Sequence, residues 1–198
     1  MDNGCSIGIL GGSFDPVHRA HMAIAEAAAR QLRLDKILLV PAFQAALKSE
    51  SVCASDAHRL RMLEIAAAKM AAKCEIDTCE LLRGGVSYSI DTARYLRAKY
   101  PTARLVWIIG SDHIGKLSRW RDIDELCKIV EFACAARPNC PTTAADLPKT
   151  ARITFVKTEL SDVSSSEIRE RIRLGKNTDS MLDSDVALYI NENKLYKI

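Results

Sequence analysis

The feature that most constrains the fold is a short apolar run that stops at two glycines near the start of the chain. The run SIGIL, residues 6–10, is followed at once by Gly11 and Gly12 and then, over residues 19–34, by an alanine-rich stretch without proline or glycine. The run predicts a buried strand, the glycines predict a tight turn, and alanine favours helix. We therefore expect the chain to open with a strand, a turn and a helix.

The same alternation continues along the chain. We predict further strands at residues 36–40, 74–78, 104–109, 129–136 and 153–157, and helices at 56–73, 89–100, from 164 onward and at 184–192, with a loop at 139–149. Alternating strands and helices predict parallel strands joined by right-handed crossovers. We therefore expect one α/β domain over residues 1–198, a doubly wound parallel sheet with a small helical portion at 160–198.

Composition narrows the class of protein. The 198 residues are 48% hydrophobic, which suits one compact domain or one domain with a small appendage. The net charge is +3 and the basic residues are scattered, so we expect no nucleic acid partner. No apolar stretch is long enough for a bilayer and no secretory signal precedes the first strand, so we expect no membrane contact and a cytoplasmic protein.

Seven cysteines occur, in no spacing typical of a zinc site, and we interpret them as buried or incidental thiols in a reducing compartment. We accordingly predict no metal-binding residues. The sequence leaves open whether the chain forms a homo-oligomer.

The turn after the first strand carries the residues best suited to bind phosphate. Gly11 and Gly12 let backbone N–H groups approach an anion closely. His18 and His21 are three residues apart at the start of a helix, which places both imidazoles on one face of its first turn. There they can donate to phosphate oxygens beside the positive end of the helix dipole. Ordinary packing is the alternative for one histidine, but two in one turn favour an anion site.

A second phosphate-binding pattern lies near the other end of the chain, at residues 162–171, DVSSSEIRER. Ser164 and Glu167 have the spacing of a capping box, which predicts a helix start. Ser164, Ser165 and Arg169 would offer hydroxyls, N–H groups and a guanidinium to an anion. The alternative is a capped amphipathic helix, and the two interpretations are compatible.

Together the two patterns resemble the nucleotidyltransferase superfamily with the HxGH motif. The first loop, GGSFDPVHRAH, is similar to its signature, with Ala20 where that superfamily usually has glycine. The segment VSSSEIR is similar to its ISSTxxR element, which holds the outgoing phosphates of ATP in the family.

Within the superfamily the chain resembles the nicotinate-nucleotide adenylyltransferases. The segment GGVSYSIDT at residues 84–92 is similar to their GGxSYTxDT, and IIGSD at 108–112 is similar to IIGxD. Trp120 stands where the family has an aromatic platform, and Arg137 is followed by proline as in its RP turn. The chain departs from the family after Pro41, where AALK at 45–48 replaces a proline-proline-histidine-basic stretch and keeps only the basic residue, Lys48.

These segments also make chemical sense without the resemblance. A pyridine ring needs a flat partner, which Trp120 supplies. A pyridine carboxylate needs donors, and Ser89 and Ile90 begin a helix with free N–H groups. Asp112 would accept from ribose hydroxyls, cap the helix after Gly110, or do both. Lys48 would meet a phosphate as a point charge.

The resemblance implies that ATP and nicotinate mononucleotide react to give deamido-NAD and pyrophosphate, with Mg²⁺ bound through the substrate phosphates. It implies catalytic roles for His18, His21 and Arg169. The implied ATP site comprises Gly11, Gly12, Ser13, Phe14, His18, His21, Gly110, Asp112, Ser164, Ser165 and Arg169. The implied mononucleotide site comprises Ser13, Lys48, Ser89, Ile90, Asp112, Trp120 and Arg137.

Three alternatives stay open at this point. In the first, the acceptor is nicotinamide mononucleotide, which differs from the acid by a single group. In the second, the acceptor is another small phosphate compound such as phosphopantetheine, an alternative that the GGxSY and Trp120 segments disfavour. In a different class of protein, the chain would be a nucleotide sensor without catalysis.

Overall fold

Strands and helices alternate in the computed structural model, which describes residues 4–46, 52–136, 148–158 and 163–197, except the side chains of Asp112 and Ala136. The strands of this part of the chain are β1 (Ser6–Gly12), β2 (Lys36–Pro41), β3 (Gln44–Ala45), β4 (Cys74–Ile76), β5 (Val86–Ser87), β6 (Arg104–Gly110), β7 (Glu131–Ala136) and β8 (Ile153–Lys157). Its α-helices are α1 (Arg19–Leu32), α2 (Asp56–Ala67), α3 (Cys79–Arg83), α4 (Ser89–Lys99), α5 (Ile123–Ile129), α6 (Ser165–Arg173) and α7 (Ser184–Glu192), and a 3-10 helix spans Ser111–Arg119.

Six parallel strands form the main sheet in the order β4-β2-β1-β6-β7-β8. The chain moves outward from β1 to β4, returns to β6 on the other side of β1, and moves outward again to β8. This confirms the predicted doubly wound sheet. Because the strands are parallel and the order reverses between β1 and β6, the segments that follow β1, β2 and β6 meet at one edge, where ligands bind in such folds.

The core covers both faces of the sheet because side chains alternate along each strand. Ile7 and Ile9 of β1 lie in the cluster with Ile90 and Leu96 of α4. Leu10 points the other way and belongs to the cluster that includes α1, α2, α6 and α7. The alanines predicted to favour helix are small enough for α1 to lie close to the sheet, and six of its residues are buried.

The second helix differs from its prediction in length and orientation. It ends at Ala67 instead of residue 73, because the chain must turn for Cys74 to pair with Ile37 of β2. Its buried residues are Arg59, Met62, Leu63 and Ala66. Leu60, Leu63, Ala67 and Met70 recur at helical spacing in the sequence, but of these four only Leu63 is fully buried. Tertiary contacts therefore override the helix propensity of residues 68–73.

Other differences lie around β6 and β7. The segment after Gly110 is a 3-10 helix with Gly110 as its N-cap, so the prediction that Asp112 caps this helix is wrong. The strand predicted at 129–136 begins at Glu131, because the unpredicted α5 precedes it. The short elements α3, β3 and β5 were also missed. The loop predicted at 139–149 lies largely outside the described residues.

None of the described helices combines the length and the apolar character needed to cross a membrane.

Candidate active site

The loop between β1 and α1 is held in one conformation by its own backbone and by Phe14. Phe14 adopts a left-handed backbone (φ 47°) and its side chain is 1% exposed. A Cβ on Gly12 would lie 3.3 Å from the Phe14 ring, which explains a glycine there. The Gly12 carbonyl accepts from the Ala42 N–H at 2.9 Å. Since the Phe14 ring belongs to the core, its predicted contact with ATP would come from the backbone.

His18 and His21 form a stacked pair at the amino end of α1, as their spacing predicted. The ring centroids are 3.6 Å apart with 25° between the planes. His18 is the N-cap residue, and its N–H donates to His21 Nδ1 at 3.3 Å. Because Nδ1 accepts, the proton of a neutral His21 lies on Nε2. Both imidazoles therefore lie beside the positive end of the α1 dipole, a favourable place for a phosphate.

The helix α6 docks on this loop, which brings the two predicted phosphate-binding patterns together. Ser164 Oγ accepts from the Glu167 N–H at 3.2 Å, which confirms the predicted cap. Ser165 Oγ donates to the Pro16 carbonyl at 3.0 Å, and Arg169 donates to the Asp15 carbonyl at 3.0 Å. The structure thus places Arg169 and Ser165 against the loop that carries His18 and His21.

Asp15 is a buried carboxylate at the centre of these contacts and was not predicted as a site residue. It is 2% exposed. Its oxygens accept from the Cys53 N–H at 2.7 Å, the Ala54 N–H at 3.1 Å and the Tyr196 hydroxyl at 2.8 Å. Arg169 also lies 3.9 Å from Asp15 Oδ2. Sequence alone could not place these partners, because they come from segments far apart in the chain.

Arg59 is a second buried charge that the sequence analysis missed. Its side chain is fully buried, and it donates to the carbonyls of Ser13 at 2.6 Å and Ala42 at 2.8 Å and to Asp56 at 2.6 Å. It therefore ties the loop after β1 to the segment after β2. One available signal was its position on the same helical face as the buried Met62.

The start of α4 lies beside the segment that follows β2. The two-residue strands β3 and β5 pair in parallel, and Ser87 Oγ accepts from the Phe43 N–H at 3.1 Å. The Tyr88 carbonyl accepts from residues 91 and 92, so the N–H groups of Ser89 and Ile90 precede the first hydrogen bonds of the helix. The Ile90 side chain is fully buried, which leaves its backbone for the predicted role.

A buried acid supports the same helix. Glu80 is 5% exposed, and Thr92 Oγ1 donates to its carboxylate at 2.6 Å. Arg83 in turn donates to Thr92 at 3.1 Å. Burial raises the pKa of Glu80 above its ordinary value, against the lowering effect of the hydrogen bonds from Thr92 and Ser87.

Trp120 follows the 3-10 helix as its C-cap residue and is half-buried. Its ring makes edge contacts with Trp107, His113 and Phe132 at centroid distances of 6.4, 6.1 and 6.4 Å. Its indole nitrogen is buried and has no hydrogen-bond partner among the described residues. The ring is thus fixed at its edges, which suits a platform for a flat ligand.

Three predicted site residues are not placed. Lys48 and Arg137 lie outside the described residues, as does the side chain of Asp112. Within the described ranges, no group of three His, Cys, Asp or Glu side chains lies close enough to hold a metal ion.

The site combines β1 and its glycines with the stacked pair His18 and His21 at the start of α1, and α6 adds Arg169 to them. This combination is typical of transferases that bind nucleotides. The chain belongs to the cytidylyltransferase-like family, whose model matches residues 9–171.

Curated relatives place it more closely, among the nicotinate-nucleotide adenylyltransferases. A protein of Opitutus terrae named probable nicotinate-nucleotide adenylyltransferase is 42% identical over 96% of this chain and 97% of its own length. A protein of the same name from Bordetella petrii is 40% identical over 96% and 98%.

The fold is similar to that of Plasmodium falciparum nicotinic acid mononucleotide adenylyltransferase complexed with NaAD. The TM-score is 0.82 over 97% of each chain, at 20% sequence identity. At that identity the likeness concerns the fold alone.

Proposed function

We propose that this chain transfers the adenylyl group of ATP to nicotinate mononucleotide and releases pyrophosphate and deamido-NAD. The observation that carries the proposal is the contact between two separate phosphate-binding patterns. Arg169 donates to the loop that ends in the stacked pair His18 and His21. The names of the relatives, which share about 40% identity over nearly the whole chain, support the same reaction.

The chemistry needs no nucleophilic side chain. A phosphate oxygen of the mononucleotide forms a bond to the α-phosphorus of ATP, and the bond from that phosphorus to the oxygen bridging to the β-phosphate breaks. Pyrophosphate leaves with the electron pair. Because the attacking group is already an anion, the enzyme's tasks are alignment and stabilisation of charge.

The triphosphate side of the site stabilises the charge. His18 and His21 stabilise charge at the reacting and leaving phosphates, while Arg169, Ser164 and Ser165 hold the outgoing pyrophosphate. In this proposal the backbone N–H groups of Gly11 and Gly12, at the end of β1, and of Ser13 and Phe14, which follow them, approach the triphosphate, and Gly110 lies at the end of the adjacent β6. The position of the pair at a helix start supports these roles.

The mononucleotide side of the site aligns the attacking phosphate. Trp120 stacks on the pyridine ring, and the N–H groups of Ser89 and Ile90 receive its carboxylate. Lys48, Asp112 and Arg137 contact the phosphate and ribose in this proposal, together with Ser13. The supporting observations are the edge-fixed Trp120 ring and the first amides of α4.

Mg²⁺ is proposed to bind through the substrate phosphates, where it would neutralise part of their charge. The donor set fits this arrangement, because Asp15, the carboxylate in the loop, already accepts from Cys53, Ala54 and Tyr196. A cytoplasmic location stays a prediction from the sequence.

The test is the rate of pyrophosphate release from ATP with nicotinate mononucleotide, with its amide and with phosphopantetheine as separate acceptors. We expect the acid to give the highest kcat/KM, because a carboxylate interacts more strongly than a carboxamide with helix-start N–H groups. A higher kcat/KM for the amide would reassign the acceptor. No release with any of the three would support a nucleotide sensor.

A further inference from the structure

The end of the chain reaches back to the candidate active site. Tyr196 donates its hydroxyl proton to Asp15 Oδ1 at 2.8 Å, across 181 positions of sequence. The acceptor is 2% exposed and belongs to the loop that leads to His18. A tyrosine so near the last described residue is thus in contact with a buried carboxylate of the site.

The backbone before Tyr196 is arranged to make this contact. After α7 the chain turns, with the Leu195 N–H bonded to the Ile190 carbonyl at 3.0 Å. Lys194 and Tyr196 both adopt left-handed backbone conformations, with φ of 53° and 61°. Side-chain-bearing residues adopt this region rarely, and they keep it where surrounding contacts hold them there. The hydrogen bond from Tyr196 to Asp15 is one of the contacts made from this backbone conformation.

The same carboxylate faces Arg169. Arg169 donates to the Asp15 carbonyl at 3.0 Å and lies 3.9 Å from Oδ2. The Cys53 N–H donates to Asp15 Oδ2 at 2.7 Å, and the Ala54 N–H donates at 3.1 Å to Oδ1, the oxygen that also accepts from Tyr196. The 3.9 Å ion pair joins the carboxylate itself to Arg169, so the orientation of the carboxylate bears on the position of Arg169 through charge attraction. Burial, and then the nearby Asp15, raise the pKa of Tyr196, which keeps its hydroxyl protonated as a donor.

We propose that Tyr196 is a positioning residue for pyrophosphate release: its hydroxyl orients the Asp15 carboxylate, which holds Arg169 against the phosphate-binding loop. This inference rests on the proposed function, in which Arg169 binds the leaving group. Tyr196 acts through Asp15 and is not itself in contact with substrate.

The test uses Tyr196→Phe, which removes only the hydroxyl. We expect the Kd for inorganic pyrophosphate, measured by titration calorimetry with Mg²⁺ present, to rise about tenfold, because a displaced Arg169 would lose about one charge-assisted hydrogen bond to the ligand. Because these contacts do not link Asp15 to the mononucleotide side, we expect the KM for nicotinate mononucleotide to change by less than about twofold. Asp15→Asn should weaken pyrophosphate binding at least as much.

Tyr189→Phe is the matched control. Tyr189 also lies near the end of the chain, but its hydroxyl bonds His58 Nδ1 at 2.9 Å, away from the loop. This variant should bind pyrophosphate as the unmodified chain does. An unchanged Kd in Tyr196→Phe would overturn the inference. If the thermal midpoint fell at the same time, the contact with Asp15 would serve stability and not pyrophosphate binding.

The two proposals can fail separately. If the unmodified chain binds pyrophosphate but releases none from ATP and nicotinate mononucleotide, the proposed function fails, while the calorimetric comparison of Tyr196→Phe still decides the inference. If the unmodified chain reacts but the Tyr196→Phe variant matches it in Kd and kcat, only the inference fails. An unmodified chain that binds no pyrophosphate would contradict both.

Discussion

The triphosphate side of the site is held by buried hydrogen bonds between distant segments, whereas the mononucleotide side rests on two-residue strands and helix ends. On the first side the 2% exposed Asp15 bonds to Cys53 and Tyr196, and the fully buried Arg59 bonds to the carbonyls of Ser13 and Ala42. On the second side β3 and β5 pair through two residues each. Buried polar contacts fix geometry strongly but are costly when broken, so changes on the two sides should have different consequences.

The difference also suits the two substrates. Phosphate transfer requires charged groups at set distances from a reacting phosphorus, and a rigid loop provides them without reorganisation. Recognition of a mononucleotide depends on a ring platform and a few donors, which an edge-packed Trp120 and the start of α4 can offer. We therefore expect changes on the first side to reduce kcat or stability, and changes on the second to act more mildly.

The largest effect should come from the histidine pair. His18→Ala and His21→Ala should each lower kcat by ~10² or more, because each removes a donor to phosphate charge in the transition state. The measurement is pyrophosphate release at saturating ATP and nicotinate mononucleotide. His58→Ala is the control, since His58 bonds Tyr189 outside the loop. Near-normal turnover in both variants would end the assignment of catalysis to this side.

The next effect should be on stability. Arg59→Ala leaves the carbonyls of Ser13 and Ala42 without this donor, and we expect a loss of about 2 kcal/mol in the free energy of unfolding. Arg61→Ala, two residues along the same helix, removes only an exposed pair with Glu64 and should cost about 0.5 kcal/mol or less. Urea unfolding of both variants measures the two losses in the free energy of unfolding. Equal losses would contradict the claim that Arg59 stabilises the fold by joining the segments after β1 and β2.

The smallest effect should be a pH dependence on the mononucleotide side. Burial raises the pKa of Glu80 in the folded chain, so its contribution to stability is fully present below the unfolded value of about 4.3 and is lost as pH rises through the folded pKa. Glu80→Gln does not ionise, so its stability relative to the unmodified chain should improve from pH 4 to pH 7. Urea unfolding across this range measures the trend.

Glu170→Gln gives the opposite sign as a control. The hydrogen bond from Arg173 lowers the pKa of Glu170, so its contribution is present above the unfolded pKa and is lost as pH falls through the folded value. The exposed position of this pair makes the effect small. A Glu80→Gln variant whose relative stability did not change with pH would show that the buried carboxyl is not perturbed as described.

The parts of the site predicted from sequence depend on local spacing. Two histidines three residues apart and a serine that caps a helix are recognised within a few residues, and the structure contains both. The first strand is also present, but it includes Gly11 and Gly12, so the turn expected at these glycines comes after them. The resemblance then joined the His18 loop to the Arg169 helix, and the observed contact between Arg169 and Asp15 agrees with that link. The doubly wound parallel sheet followed from the alternation of strands and helices.

What the sequence did not reveal depends on partners far along the chain. Arg59 has the composition of a surface residue on a helix, and only two carbonyls from other segments explain its burial. Tyr196 meets Asp15 after a turn that no local motif announces. The early end of α2 and the 3-10 helix after β6 likewise follow from how neighbouring strands and loops must connect.

The most direct test of the central claim follows the phosphorus atoms of ATP. With nicotinate mononucleotide as acceptor, label on the α-phosphorus should appear in the dinucleotide, and label on the γ-phosphorus should appear in pyrophosphate, one pyrophosphate for each dinucleotide. His18→Ala should slow both in parallel. Label from the α-phosphorus that stays in ADP, or appears only in free AMP, would contradict adenylyl transfer at this site.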